Sequence, residues 1–193
     1  YEKGKDVDAM QQFYHKFFSD NSIRRVLLGI NPGRFGAGIT GIAFTDPVKL
    51  EENCGIPNDF KKVTESSAGF IYKMIDKYGG PEKFYRNFYI GAVSPLGFLK
   101  DGKNYNYYDD KELLKAVEPF IVSSIKNTIR IGFKTDVCFC LGRGKNFDYL
   151  KNLNEREGFF HQIEVLPHPR WVMQYKRKKL DHYIGEYLKK LRA

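Results

Sequence analysis

The sequence has little of what a secreted, metal-bound or membrane-spanning protein needs. Its three cysteines, Cys54, Cys138 and Cys140, are too few for a disulfide framework and exclude a four-cysteine iron–sulfur site by count. Cys138 and Cys140 stand two apart in an apolar run, so on a strand both face the same way and cannot easily bridge each other. They read as reduced, buried thiols. Apolar runs such as Val26–Ile30 end after a few residues, far short of the roughly 20 that cross a bilayer, so no membrane partner is expected. No charged-then-apolar leader opens the sequence. No spacing of His, Cys and carboxylates suits zinc, so no metal is expected. Repeats, linkers and low-complexity stretches are missing as well, and the chain reads as a single domain, 1–193, long enough to bury a core without staples.

What is present is an ordinary globular mix, 42% hydrophobic and 28% charged, which excludes a disordered tail. The net charge of +9 is unevenly spread. The stretch from Arg170 to Ala193 carries 8 basic and 2 acidic side chains, two-thirds of the excess. Such a patch fits either a polyanionic partner or a solvated terminal helix.

Four short apolar runs read as buried strands: Arg25–Ile30, Phe88–Val93, Asp136–Leu141 and Gln162–Leu166. Helical patterns lie at Asp6–Ser19, Ser66–Lys77, Glu82–Asn87, Lys111–Arg130 (interrupted at Pro119), Asn146–Glu157 and Met173–Leu191. Strands alternating with helices predict an α/β domain with a central four-stranded, mostly parallel sheet flanked by helices. Ligands of such sheets bind where loops leave the carboxyl ends of the strands.

The first of those loops is Gly29-Ile-Asn-Pro-Gly-Arg-Phe-Gly-Ala-Gly-Ile-Thr-Gly-Ile-Ala-Phe44. Its Gly36-x-Gly38-x-x-Gly41 spacing matches the dinucleotide fingerprint. The chain, however, already turns at Asn31-Pro32-Gly33, and the second strand with its acidic residue is missing from Glu51 to Lys62. Asp46-Pro47 reads as a helix N-cap with proline at the first helical position, against a general-base reading of Asp46. After the third strand, Gly142-Arg143-Gly144-Lys145 could hold a phosphate at a helix start. After the fourth comes Pro167-His168-Pro169-Arg170-Trp171, where two prolines stiffen the backbone around His168, which otherwise reads as a surface turn residue. Asn31, His168 and Arg170 fall at one sheet edge.

Gly29 to Gly36 followed by Thr40-Gly41-Ile-Ala-Phe44 resembles the first motif, G-M-N-P-G-P-F-G then T-G-V-P-F, of the single-strand-selective monofunctional uracil-DNA glycosylases. Leu141-Gly-Arg-Gly144 resembles their L-G-x-G, and Leu166-Pro-His-Pro-Arg170 their final H-P-S-P-R motif, two residues shorter. The motifs fall in order across most of the chain. The resemblance implies that Asn31 positions the attacking water and that the backbone from Gly33 through Phe35 and Gly36 to Ala37 closes over the base. It further implies that Phe44 stacks on the extruded base, His168 donates a hydrogen bond to it as it departs, and Arg170 fills the gap left in the duplex. Physically, breaking an N-glycosidic bond leaves negative charge on the base, and a rigid donor aimed there acts as that charge develops. Asn31 can orient water but cannot ionise, so bond breaking well ahead of water attack is expected. The segment from Arg170 through Trp171 to Lys179 could offset the cost of flipping a base, with bulky groups as wedges and Lys176 and Arg177 on phosphates. Packing onto the sheet is the other reading of Trp171.

Two positions depart from the family. Its strand two ends H-N-x-C-P-L with an asparagine that reads the base edge, and Ala92 stands in that place. A pocket without that amide should take uracil less strictly and admit deaminated purines such as hypoxanthine or xanthine. Arg34 replaces a proline and adds a charge on the expected DNA path. The expectation is therefore a monofunctional glycosylase, monomeric, without cofactor, acting on single- and double-stranded DNA in the cytosol or nucleus. The competing class is a non-catalytic nucleic-acid or nucleotide-binding module.

Overall fold

The computed structural model describes residues 4–193, so the first three residues of the expected single domain lie outside the described residues. Four parallel strands, β1 (Arg25–Gly29), β2 (Phe88–Ala92), β5 (Val137–Leu141) and β6 (Gln162–Leu166), form one sheet in the order β2-β1-β5-β6. The chain steps from β1 to one side and later returns to its other side. The loops after β1 and β5 therefore leave in opposite directions, opening a crevice at their carboxyl ends.

Period-two alternation sorts the strand side chains between two apolar layers. Val26, Leu28, Cys138 and Cys140 enter the layer under α6 (Lys111–Arg130) and α7 (Lys145–Glu157). Leu27, Phe139 and Leu141 enter the opposite layer, against α1 (Lys5–Phe18), α4 (Ser66–Tyr78), α5 (Pro81–Asn87), α8 (Pro169–Tyr175) and α9 (Leu180–Leu191). Cys138 and Cys140 thus share a face, and all three cysteines are buried and free. No described helix is long and apolar enough to cross a membrane.

Several expectations are corrected. Helix α6 runs unbroken through Pro119, because the proline sits on the solvent side while Val117, Ile121 and Ile125 anchor the buried stripe. The closing helix divides in two. It starts early, at Pro169, whose fixed φ suits the first helical position, and the basic run Arg177–Lys179 forms a 3₁₀ turn before α9. Between the end of β2 and α6 lies an additional antiparallel hairpin, β3 (Phe98–Lys100) with β4 (Lys103–Tyr105). Asp101 and Gly102, at φ 52° and 69°, make its two-residue turn, the Asp-Gly pair that such hairpins favour. The short helices α2 (Ala37–Thr40) and α3 (Pro47–Glu52) complete the fold.

Candidate active site

The loop after β1 is held by the hairpin. The Asn31 amide donates from Nδ2 to the Tyr105 carbonyl at 3.3 Å and accepts at Oδ1 from the Tyr107 N–H at 3.4 Å. The hairpin thereby orients the amide, leaving a second Oδ1 lone pair for a water. The Arg34 N–H donates to Asn104 Oδ1 at 3.0 Å, and its guanidinium reaches the Gly102 carbonyl. Asp46 caps α3: its two oxygens accept from the N–H groups of Lys49 and Glu65, each at 2.8 Å. Asp46 is thus the cap of α3, and it is not among the residues that line the cavity described below.

Phe44 lies at φ 53°, in the left-handed region, where a non-glycine residue costs about 1–3 kcal/mol. That conformation lays its ring over Gly29. A methyl in place of a Gly29 hydrogen would stand 2.6 Å from the ring, so only glycine fits beneath it. The ring centroid is 6.0 Å from that of His168.

His168 is the N-cap of α8, and its Nδ1 accepts from the Arg170 N–H at 3.1 Å. An accepting Nδ1 assigns the proton to Nε2, so the ring is a donor at that end. Burial first, and the Arg170 guanidinium second, lower its pKa to about 4. The imidazole is neutral at pH 7, with one donor and a fixed tautomer.

These groups line one cavity of about 360 Å³ at the carboxyl ends of the strands. Asn31, Gly33, Ala37, Phe44, Ala92, His168, Arg170 and Trp171 all contribute to its wall. Phe35 and Gly36 do not. Phe35 lies half-exposed under the Arg34 guanidinium, 4.3 Å from ring centre to Cζ. Around Ala92 the wall is apolar, with Gly91 and Pro95 beside it. Sequence reasoning passed over Glu65, Asn104 and Asn106, which also line the cavity, as do Gln174 and Tyr175 of the expected wedge segment. The Asp101-Gly102 turn signal could have found the two hairpin-borne asparagines; nothing local marks Glu65.

The dinucleotide reading fails on the same geometry. The space where Gly33 and Gly36 permit close approach is filled by the Glu65 carboxyl. The Uracil DNA glycosylase superfamily model matches residues 15–192. The chain belongs to this superfamily. A solved structure, that of wild-type Pedobacter heparinus SMUG2, superposes with a TM-score of 0.94 at 44% identity, over 100% of this chain and 85% of that one. No curated protein sequence matches the chain.

Around the cavity of this uracil-DNA glycosylase superfamily member the cationic side chains divide. Arg170 and Trp171 stand on its rim, with Trp171 edge-on to Tyr183 at 5.8 Å and 40% exposed. Lys176 lies 5.6 Å over the Trp171 ring, and Arg177 is exposed beside it. Arg143 and Lys145 are exposed but off the cavity wall. Arg143 pairs with Glu186 at 3.2 Å, and Lys145 lies 6.0 Å over the Tyr108 ring.

Proposed function

We propose that the protein is a monofunctional DNA glycosylase that extrudes a deaminated base into this cavity, hydrolyses its N-glycosidic bond and leaves an abasic site. One observation carries the assignment of roles: a neutral His168, its tautomer fixed by the Arg170 N–H, presents Nε2–H in the cavity that also holds Asn31 and Phe44. As the C1′–N bond breaks, its electron pair leaves with the base, and the Nε2–H stabilises that anion without depending on a proton scarce at pH 7. Phe44 stacks on the base. Asn31 holds the water whose oxygen forms the new bond at C1′. The amide cannot take a proton, so attack follows a largely broken bond.

Arg170 and Trp171 fill the space the base vacates, and Arg34, Lys176 and Arg177 lie on the phosphate path. Arg143 and Lys145 form a second, outlying phosphate contact. Ala92 leaves one edge of the base unread, so uracil, hypoxanthine and xanthine are all accepted. The protein acts as a monomer on single- and double-stranded DNA.

The test uses labelled oligonucleotides carrying uracil, hypoxanthine, xanthine or thymine, incubated with the protein and treated with alkali to reveal abasic sites. Cleavage of uracil DNA that falls sharply in Asn31→Ala and His168→Ala supports the reading. Binding without product by the wild-type chain overturns it in favour of a binding module. Ala92→Asn should favour uracil over the purines; equal kinetics across all bases would remove the role assigned to Ala92.

A further inference from the structure

The roles above leave the one carboxyl of the cavity wall, the half-buried Glu65, unused. Glu65 precedes α4, and its backbone N–H is tied to Asp46 Oδ2 at 2.8 Å. Its carboxyl lies along the glycine turn after β1. A methyl on Gly33 would stand 2.7 Å from Oε1, and one on Gly36 would overlap Oε2. Two glycines therefore make room for this one side chain. No described group hydrogen-bonds to the carboxyl, although it lines the cavity with Asn31, Phe44 and His168.

Such a placement is hard to reconcile with an ionised carboxylate. The proposed ligand is a polyanion and its leaving group is an anion, so a second negative charge in the wall would oppose both binding and bond breaking. In the acid form the same group is a hydrogen-bond donor instead. We propose that Glu65, as the neutral carboxylic acid, donates a hydrogen bond to the extruded nucleotide, a second donor beside His168. This role rests on the glycosylase reading and deepens it.

The electrostatics agree. Burial first, and the Asp46 carboxylate second, raise the Glu65 pKa to about 7, while the Arg170 guanidinium lowers it. His168, which shares the cavity wall, is neutral at this pH and adds no charge. Bound phosphates push the pKa in the same direction as Asp46. The proton balance closes. The base leaves with the glycosidic pair and is stabilised from Glu65 and His168. The water gives its hydroxyl to C1′ and its remaining proton to the base, so Glu65 ends as the acid it began.

The decisive experiment measures single-turnover cleavage of a uracil oligonucleotide from pH 5.5 to 9 with the wild-type chain, Glu65→Gln and Glu65→Ala. Melting temperature and affinity for an uncleavable abasic analogue are followed in parallel. The wild-type rate should fall above pH 7, approaching about tenfold per unit. Glu65→Gln, a donor that does not titrate, should keep most of the rate found at pH 6 and hold it to pH 8.5. Glu65→Ala should lose about tenfold or more at pH 6. A lower rate at unchanged affinity assigns the bond to the base, and weakened affinity assigns it to the flanking phosphate. An alkaline decline in Glu65→Gln matching the wild type, or a Glu65→Ala rate within about twofold of the wild type at pH 6, overturns the role. Should Glu65→Ala fail to fold, the Glu65→Gln profile decides alone. A wild-type chain that cleaves nothing overturns the glycosylase reading as well, which separates that failure from this one.

Discussion

His168 and Glu65 line one cavity, and burial drives their pKa values in opposite directions. The imidazole falls to about 4 and the carboxyl rises to about 7. Desolvation disfavours whichever form is charged, so a base and an acid both become neutral when taken from water. The two groups differ in what holds them. His168 is fixed by a backbone hydrogen bond at a helix N-terminus, whereas Glu65 is held by packing against glycines with its carboxyl unpaired. One donor is therefore set by geometry across the working pH range, and the other is switched within it.

The largest expected effect comes from removing the fixed donor. His168→Ala should lower single-turnover cleavage by about 10²–10³. The ratio to wild type should stay constant from pH 5.5 to 8, because His168 does not titrate there. A ratio that varies with a midpoint near the ordinary histidine value would break the comparison. Asn31→Ala should cost a similar factor without altering the pH dependence, measured in the same assay.

Gly29→Ala comes next. It drives a methyl into the Phe44 ring, destabilising the fold by about 1–3 kcal/mol and moving the ring that neighbours His168. Thermal melting and cleavage rate together should show both losses.

A smaller effect separates the two groups in stability. The folded-state pKa of Glu65 lies above its unfolded value, so its contribution is fully present below about pH 4.5 and is lost as pH rises through about 7. The folded-state pKa of His168 lies below its unfolded value, so its contribution is present above about pH 6.5 and is lost as pH falls toward about 4. Glu65→Gln should therefore be more stable than wild type at pH 8, by about 1–3 kcal/mol, and nearly equal to it at pH 5. Denaturant melts at both pH values check the sign. The smallest change concerns the rim. Lys176→Ala and Arg177→Ala should each reduce the salt slope of duplex binding by about 0.9, measured by titration at several salt concentrations, and leave the pH profile unchanged.

Much of this was legible along the chain. Short apolar runs located the four sheet strands, and the period of two along a strand placed Cys138 and Cys140 on one face. Asp46-Pro47 announced its own cap, and Pro167-His168-Pro169 announced a held imidazole, because capping and proline stiffness act over a few residues. The hairpin was also written locally, in Asp101-Gly102, yet short strands carry too few residues for an apolar pattern to reveal them. The break between α8 and α9 was hidden because a basic run suits either a helix surface or a turn.

What the sequence determined by itself was therefore local: the strands, most of the helices, the glycine-rich loop and the residue types able to polarise a leaving group. Tertiary structure alone decided which groups meet. It brought Tyr105 and Tyr107 to the Asn31 amide, laid Phe44 on Gly29, and set Glu65 against Gly33 and Gly36 across more than 25 residues of chain. It also decided which groups are charged, since a pKa follows from desolvation and from neighbours that only the folded chain assembles.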